Sequence, residues 1–178
     1  MGDLRVSFIK RKRAQVWIET VIYTLIALSL MAMLLAFAKP KIDGVKDRML
    51  IEQTIDSMNK IGEQIGEVQI APNNKRVLTV KINKGKLEIL PQADSLSWVL
   101  DSSYKYSEIG RDSPIGNLHV LTTGKGPYNV RVYSNYSTNI TYNGDEKGFS
   151  LEASPTPYTV IVSSITSGGS LIVDISAK

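Results

Sequence analysis

From Val16 to Ala38 the chain reads VWIETVIYTLIALSLMAMLLAFA, apolar on every face of a helix. Its one charged residue is Glu19, and Thr20, Thr24 and Ser29 carry its aliphatic hydroxyls. As a helix this run would span roughly 35 Å, enough to cross a hydrocarbon core of about 30 Å. The pattern therefore predicts a membrane-spanning helix. Lys39-Pro40-Lys41 closes the run, and Pro40, which has no backbone N–H, predicts a kink or local break. Beyond it, apolar residues recur at Ile42, Val45, Met49, Ile55, Met58, Ile61, Ile65 and Val68, mostly three and four positions apart. That spacing predicts an amphipathic helix ending near Ile70, before Ala71-Pro72-Asn73-Asn74. Residues 15–70 thus read as one long, bent helix. The natural use of its second-half stripe is to dock on a soluble domain, with a free coiled-coil stalk as the alternative.

After residue 76 the period changes. Short runs rich in Val, Ile, Thr and Tyr predict strands at Val77–Ile82, Lys86–Leu90, Leu96–Asp101, Leu118–Thr122, Tyr128–Tyr133, Asn139–Tyr142, Phe149–Glu152, Tyr158–Ile165 and Leu171–Ser176. Asn83-Lys84-Gly85, Gly124-Lys125-Gly126, Asn143-Gly144 and Ser167-Gly168-Gly169 are hairpin-turn sequences. Many short strands after one helix give an α+β class. The expected architecture is a long N-terminal helix, transmembrane in its first half, followed by an antiparallel β-sandwich-like domain.

Charge changes the picture at the N-terminus alone. The chain is +4 overall, and five of its 21 basic residues are Arg5, Lys10, Arg11, Lys12 and Arg13, opposed there only by Asp3. Residues 15–178 hold equal numbers of acidic and basic groups. The body therefore offers no basic surplus to nucleic acid. Basic residues flanking a span stay in the cytoplasm, so the segment after Lys39 is expected outside the membrane. A cleaved secretory signal has a shorter apolar stretch, about 7–15 residues, than the 23 residues seen here, so retention as an anchor is expected.

Arg11-Lys12-Arg13-Ala14-Gln15-Val16-Trp17-Ile18-Glu19 resembles the class III signal peptide of archaeal type IV pilins and archaellins. That pattern joins a basic leader, a small residue before the cut, Gln after it, Glu at the fifth mature position and a long apolar stretch. The resemblance covers roughly residues 5–40. It departs from many members in having Ala14 before the cut and Trp17 at the third mature position. The resemblance implies a leader at 1–14, with Lys10, Arg11, Lys12 and Arg13 as its charge. A prepilin peptidase would cut between Ala14 and Gln15. Residues 15–38 would be the transmembrane and filament-core helix, 39–70 its amphipathic extension and 71–178 an extracellular β-rich domain. It further implies an assembly ATPase and a membrane platform protein as partners, contact with membrane lipid before extraction, and self-association into a filament. Gln15 and Glu19 would be the assembly residues, a new α-amino group facing a carboxylate. The alternative is a single-span anchored β domain that binds or adheres without polymerising.

Other chemistry is sparse. With no Cys and one His, thiolate metal sites, cysteine nucleophiles and His-rich metal sites are excluded, and no cofactor is expected. Ser57-Met58-Asn59-Lys60 matches S-x-x-K without companion motifs, Asp145-Glu146 follows a turn, and His119 sits within an apolar strand pattern; each reads as structural. No enzymatic constellation emerges. Two sequons, Asn135-Tyr136-Ser137 and Asn139-Ile140-Thr141, are possible N-glycosylation sites, which the resemblance also implies. Several of the eight Tyr lie between 104 and 158, where they could line a contact surface or simply occupy strands.

Overall fold

The computed structural model describes the backbone of residues 4–167 and 169–178 and the side chains of 16–166 and 169–178. Among the described residues one helix, α1, runs Leu4–Ile70, and ten strands follow. The chain forms two compact units, residues 1–42 and 43–178. The first, in its described residues, is helix alone. It begins earlier than the expected position 15, and helical pairing continues through Pro40 rather than breaking there. Proline at that position leaves the Ala36 carbonyl without its usual i+4 donor, a loss the helix tolerates.

The second unit is an α+β sandwich-like fold. Residues 43–70 of α1 share a core with two sheets. β1 (Lys75–Val80), β9 (Tyr158–Ser167), β10 (Ser170–Ala177) and β7 (Asn139–Tyr142) form a four-stranded sheet in the order β1-β9-β10-β7. β2 (Lys86–Leu90), β3 (Ser95–Ser102), β4 (Asp112–Ile115), β5 (Leu118–Thr123), β6 (Tyr128–Asn135) and β8 (Phe149–Glu152) form a six-stranded sheet in the order β4-β5-β6-β3-β2-β8. All neighbouring pairs are antiparallel except β7 and β10, which run parallel. Alternation places one row of side chains inward on each sheet. Across the larger sheet the register aligns Leu151, Leu87, Trp98, Val132 and Val120, all buried. Across the smaller it aligns Val162, Ile175 and Tyr142, also buried. The indole N–H of Trp98 donates to the Lys84 carbonyl at 3.2 Å, so burying its ring leaves no orphan donor.

Every strand expected from the sequence is present. β4 is additional; it contains Pro114, a residue that argues against a strand unless the strand is an edge, which β4 is. Two of the expected hairpins are absent. The chain crosses between sheets at Asn83-Lys84-Gly85, because β1 pairs with β9 while β2 pairs with β3 and β8. Asn143 and Gly144 do make a tight reversal, with φ of 52° and 79° and paired backbone hydrogen bonds between Tyr142 and Asp145. Yet β7 and β8 belong to different sheets. The β5–β6 and β9–β10 hairpins form as expected.

The docking stripe of α1 also differs in its first turns. Ile55, Met58, Ile61, Ile65 and Val68 are buried as expected, but Ile42, Val45 and Met49 are exposed. Ile51, Thr54 and Asp47 are buried instead. At 100° per residue, Ile51 and Asp47 continue the face of Ile55 and Met58, while Met49 and Val45 lie roughly half a turn away. The polar choice at 47 is explained by what that side chain meets.

Candidate assembly segment and surface sites

Within the first unit the apolar run is exposed from end to end: Trp17 is 72% and Phe37 73% accessible, with Ile18, Leu25, Met31 and Leu34 exposed between them. An exposed apolar surface of this extent is of the kind that lipid or other apolar helices cover. Its aliphatic hydroxyls are satisfied within the helix. Thr20 Oγ1 donates to the Val16 carbonyl at 2.9 Å, Thr24 Oγ1 to the Thr20 carbonyl at 2.7 Å and Ser29 Oγ to the Leu25 carbonyl at 2.7 Å. This back-bonding lets hydroxyls sit in an apolar phase without unpaired donors. Among the described residues, Val16–Ile70 is the one helix long and apolar enough to cross a membrane, near the N-terminus and compatible with single-pass anchoring. Glu19 is an exposed residue one turn inside it. The side chains of Lys10, Arg11, Lys12, Arg13, Ala14 and Gln15 lie outside the described residues, so the geometry of the expected cut and of the Gln15–Glu19 pair does too.

The second unit holds α1 through a polar clasp that the periodicity did not show. Asp47 is only 8% exposed. Its Oδ1 lies 2.6 Å from Lys84 Nζ, while Oδ2 accepts hydrogen bonds from the Ser103 N–H at 2.6 Å and the Ser103 hydroxyl at 2.8 Å. Burial alone would raise the carboxyl pKa, but Lys84 and both Ser103 donors outweigh it and hold the group below the ordinary carboxylate value. Next to it, the Arg48 guanidinium lies over the Tyr104 ring at 5.9 Å. The loop after β3 is thereby fastened to the helix. The expected stripe put Asp47 among the polar positions, so the sequence pattern carried no signal for this contact.

The sequons fall on either side of the β6–β7 connection. Asn135 ends β6 and is exposed, as is Ser137. Between them Tyr136 packs on the core, where burial pushes its phenol pKa up. Asp94, in the left-handed region at φ 44°, anchors the connection. Its carbonyl accepts the Tyr136 N–H at 2.8 Å and its Oδ1 accepts the Ile140 N–H at 2.9 Å. Asn139 opens β7 and is exposed, but Thr141 is covered.

The remaining candidates occupy ordinary structural positions. Lys60 is exposed and paired with Asp56 at 2.9 Å, one turn along α1 from Ser57. His119 Nδ1 lies 2.6 Å from Asp112 Oδ2, and its ring stacks on Tyr133. Asp145 is fixed by the Asn143-Gly144 reversal, and Tyr142 stacks on Phe149 with centroids 4.2 Å apart. Among the described residues no cluster of His, Asp or Glu is arranged to hold a metal ion. No protein-family model matches the chain, and neither a curated protein nor a solved structure matches it.

Proposed function

We propose that this chain is a structural subunit of an archaeal type IV pilus-like surface filament. The reading rests on one observation above the rest. A helix of membrane length, apolar and exposed on all sides, continues along the same α1 into the core of a β domain. Such a segment serves first as a span in lipid and then as a filament core, because apolar helices can replace lipid as its surroundings. The basic residues before it orient the precursor with its N-terminus in the cytoplasm and its β domain outside. A prepilin peptidase then cuts between Ala14 and Gln15 and removes that charge. The new α-amino group at Gln15, with an ordinary pKa near 8, is mostly cationic at neutral pH. Glu19 meets this amine, of its own or a neighbouring subunit, and fixes the axial register of packed helices. An assembly ATPase and a membrane platform protein supply the extraction.

Mass spectrometry of surface material tests the cut: the mature chain should begin at Gln15. Electron microscopy of the same preparation should show filaments containing it. Glu19→Ala should insert normally but enter filaments poorly. An intact leader on a chain that never enters filaments would refute the proposal and leave a membrane-anchored binding domain.

A further inference from the structure

The two sequons have equal standing as motifs, but the fold separates them. N-linked transfer requires one enzyme to reach both the asparagine amide and the hydroxyl two residues on. In the first sequon Asn135 and Ser137 are both exposed, on either side of the inward Tyr136. Neither side chain hydrogen-bonds another described residue. In the second, the hydroxyl is already committed: Thr141 is 6% exposed and its Oγ1 donates to Asp174 Oδ1 at 2.8 Å. The Gly144 N–H donates to the same carboxylate oxygen at 2.7 Å, closing the turn beside it. The middle residue, Ile140, is fully buried, and its N–H is bound by Asp94. The whole motif lies in β7, paired with β10 from Asn139 opposite Ile172 through Thr141 opposite Asp174. Freeing Thr141 means peeling β7 away and exposing Ile140 and Tyr142. The Asn135 motif instead lies at the end of β6, with Asn135 opposite Ser95, the Tyr136 N–H on the Asp94 carbonyl and both acceptor side chains already exposed, so presenting it costs less local unfolding.

We propose that the folded β domain is a selective acceptor of N-linked oligosaccharide, taking it at Asn135 and refusing it at Asn139. The donor class is a polyprenyl-phosphate- or pyrophosphate-linked oligosaccharide. The Asn135 Nδ2 forms a bond to the anomeric carbon as the bond from that carbon to the phosphate oxygen breaks. The polyprenyl phosphate or pyrophosphate leaves with the electron pair, and an amide proton passes to a basic group of the transferring enzyme. In the organism this rests on the β domain being exported, as proposed above.

The test is run in vitro and so does not depend on export. The full chain, purified in detergent, is incubated with a single-subunit oligosaccharyltransferase and its lipid-linked donor, then analysed by mass spectrometry. A synthetic peptide of residues 131–146 serves as the unfolded reference. In the native chain Asn135 should be modified at least about tenfold more than Asn139, and in the peptide the two should be comparable. Asn135→Gln and Ser137→Ala should abolish transfer to the native chain, and Asn139→Gln should leave it unchanged. Circular dichroism establishes that each variant is folded. Transfer to Asn139 at the rate of Asn135 in the native chain, or no transfer to native Asn135, would overturn the proposal. Transfer in vitro with no glycan on the cellular protein would point instead to a failure of the export reading.

Discussion

Asp47→Ala should destabilise the β domain by about 2–3 kcal/mol at neutral pH. The carboxylate closes two interactions with Ser103 and one with Lys84, all at 2.8 Å or less. Charge-assisted hydrogen bonds contribute about 1.5–3 kcal/mol each when both partners are buried. Ser103 is exposed and the Lys84 side chain is 36% accessible, so water takes up both once Asp47 is gone, which is why the expected loss is well below the sum. For a domain of this size the melting midpoint should fall by about 3 °C per kcal/mol, or about 6–9 °C. Buried Trp98 reports the transition by fluorescence in a Trp17→Phe background, with the full chain in detergent. The sign of the pH dependence follows from the depressed carboxyl pKa. The stabilisation is fully present above the ordinary value of 3.8 and is lost as pH falls through the lower folded value. The wild type and the variant should therefore differ at pH 7 and converge toward pH 2. A difference below about 0.5 kcal/mol at pH 7, or one undiminished at pH 2, would refute the account of the clasp.

The corrected helix face gives a paired test. Ile51→Ala should cost about 2–4 kcal/mol by opening a cavity, whereas Met49→Ala, at a residue 54% exposed, should leave chemical denaturation nearly unchanged; equal effects would restore the original stripe. At Gly85, with φ +77°, an added Cβ would come within 2.1 Å of the Val99 carbonyl oxygen. Gly85→Ala should therefore destabilise by about 3 kcal/mol or more, read as a collapsed urea midpoint. Gly66 has nothing within 4 Å of its would-be Cβ, so Gly66→Ala should gain up to about 1 kcal/mol from helix propensity in the same titration.

Strand positions were legible because alternation is local: each run of β-branched and aromatic residues declares its own pleat. Partners were less legible. Asn83-Lys84-Gly85 and Asn143-Gly144 have the chemistry of a reversal, yet the chain leaves each of them for the other sheet. A turn fixes the direction of a few residues, while sheet membership is set by which faces bury together. The same limit applied to the sequons, since nothing in Asn139-Ile140-Thr141 announces that Asp174 will take its hydroxyl.

What the sequence determined by itself is the division of labour along the chain. Twenty-three residues without an apolar–polar period cannot be the surface of a water-soluble domain, whatever follows them. A change of period from about 3.6 to 2 separates helix from strands without reference to any contact. What only the tertiary structure decided is which face of α1 is inside, which strands meet, and which polar groups are used up. Those outcomes depend on residues far apart in sequence. Asp47 fell between the apolar positions of the expected stripe and became part of the buried face, because Lys84 from the β1–β2 connection and Ser103 from the loop after β3 arrive to satisfy it.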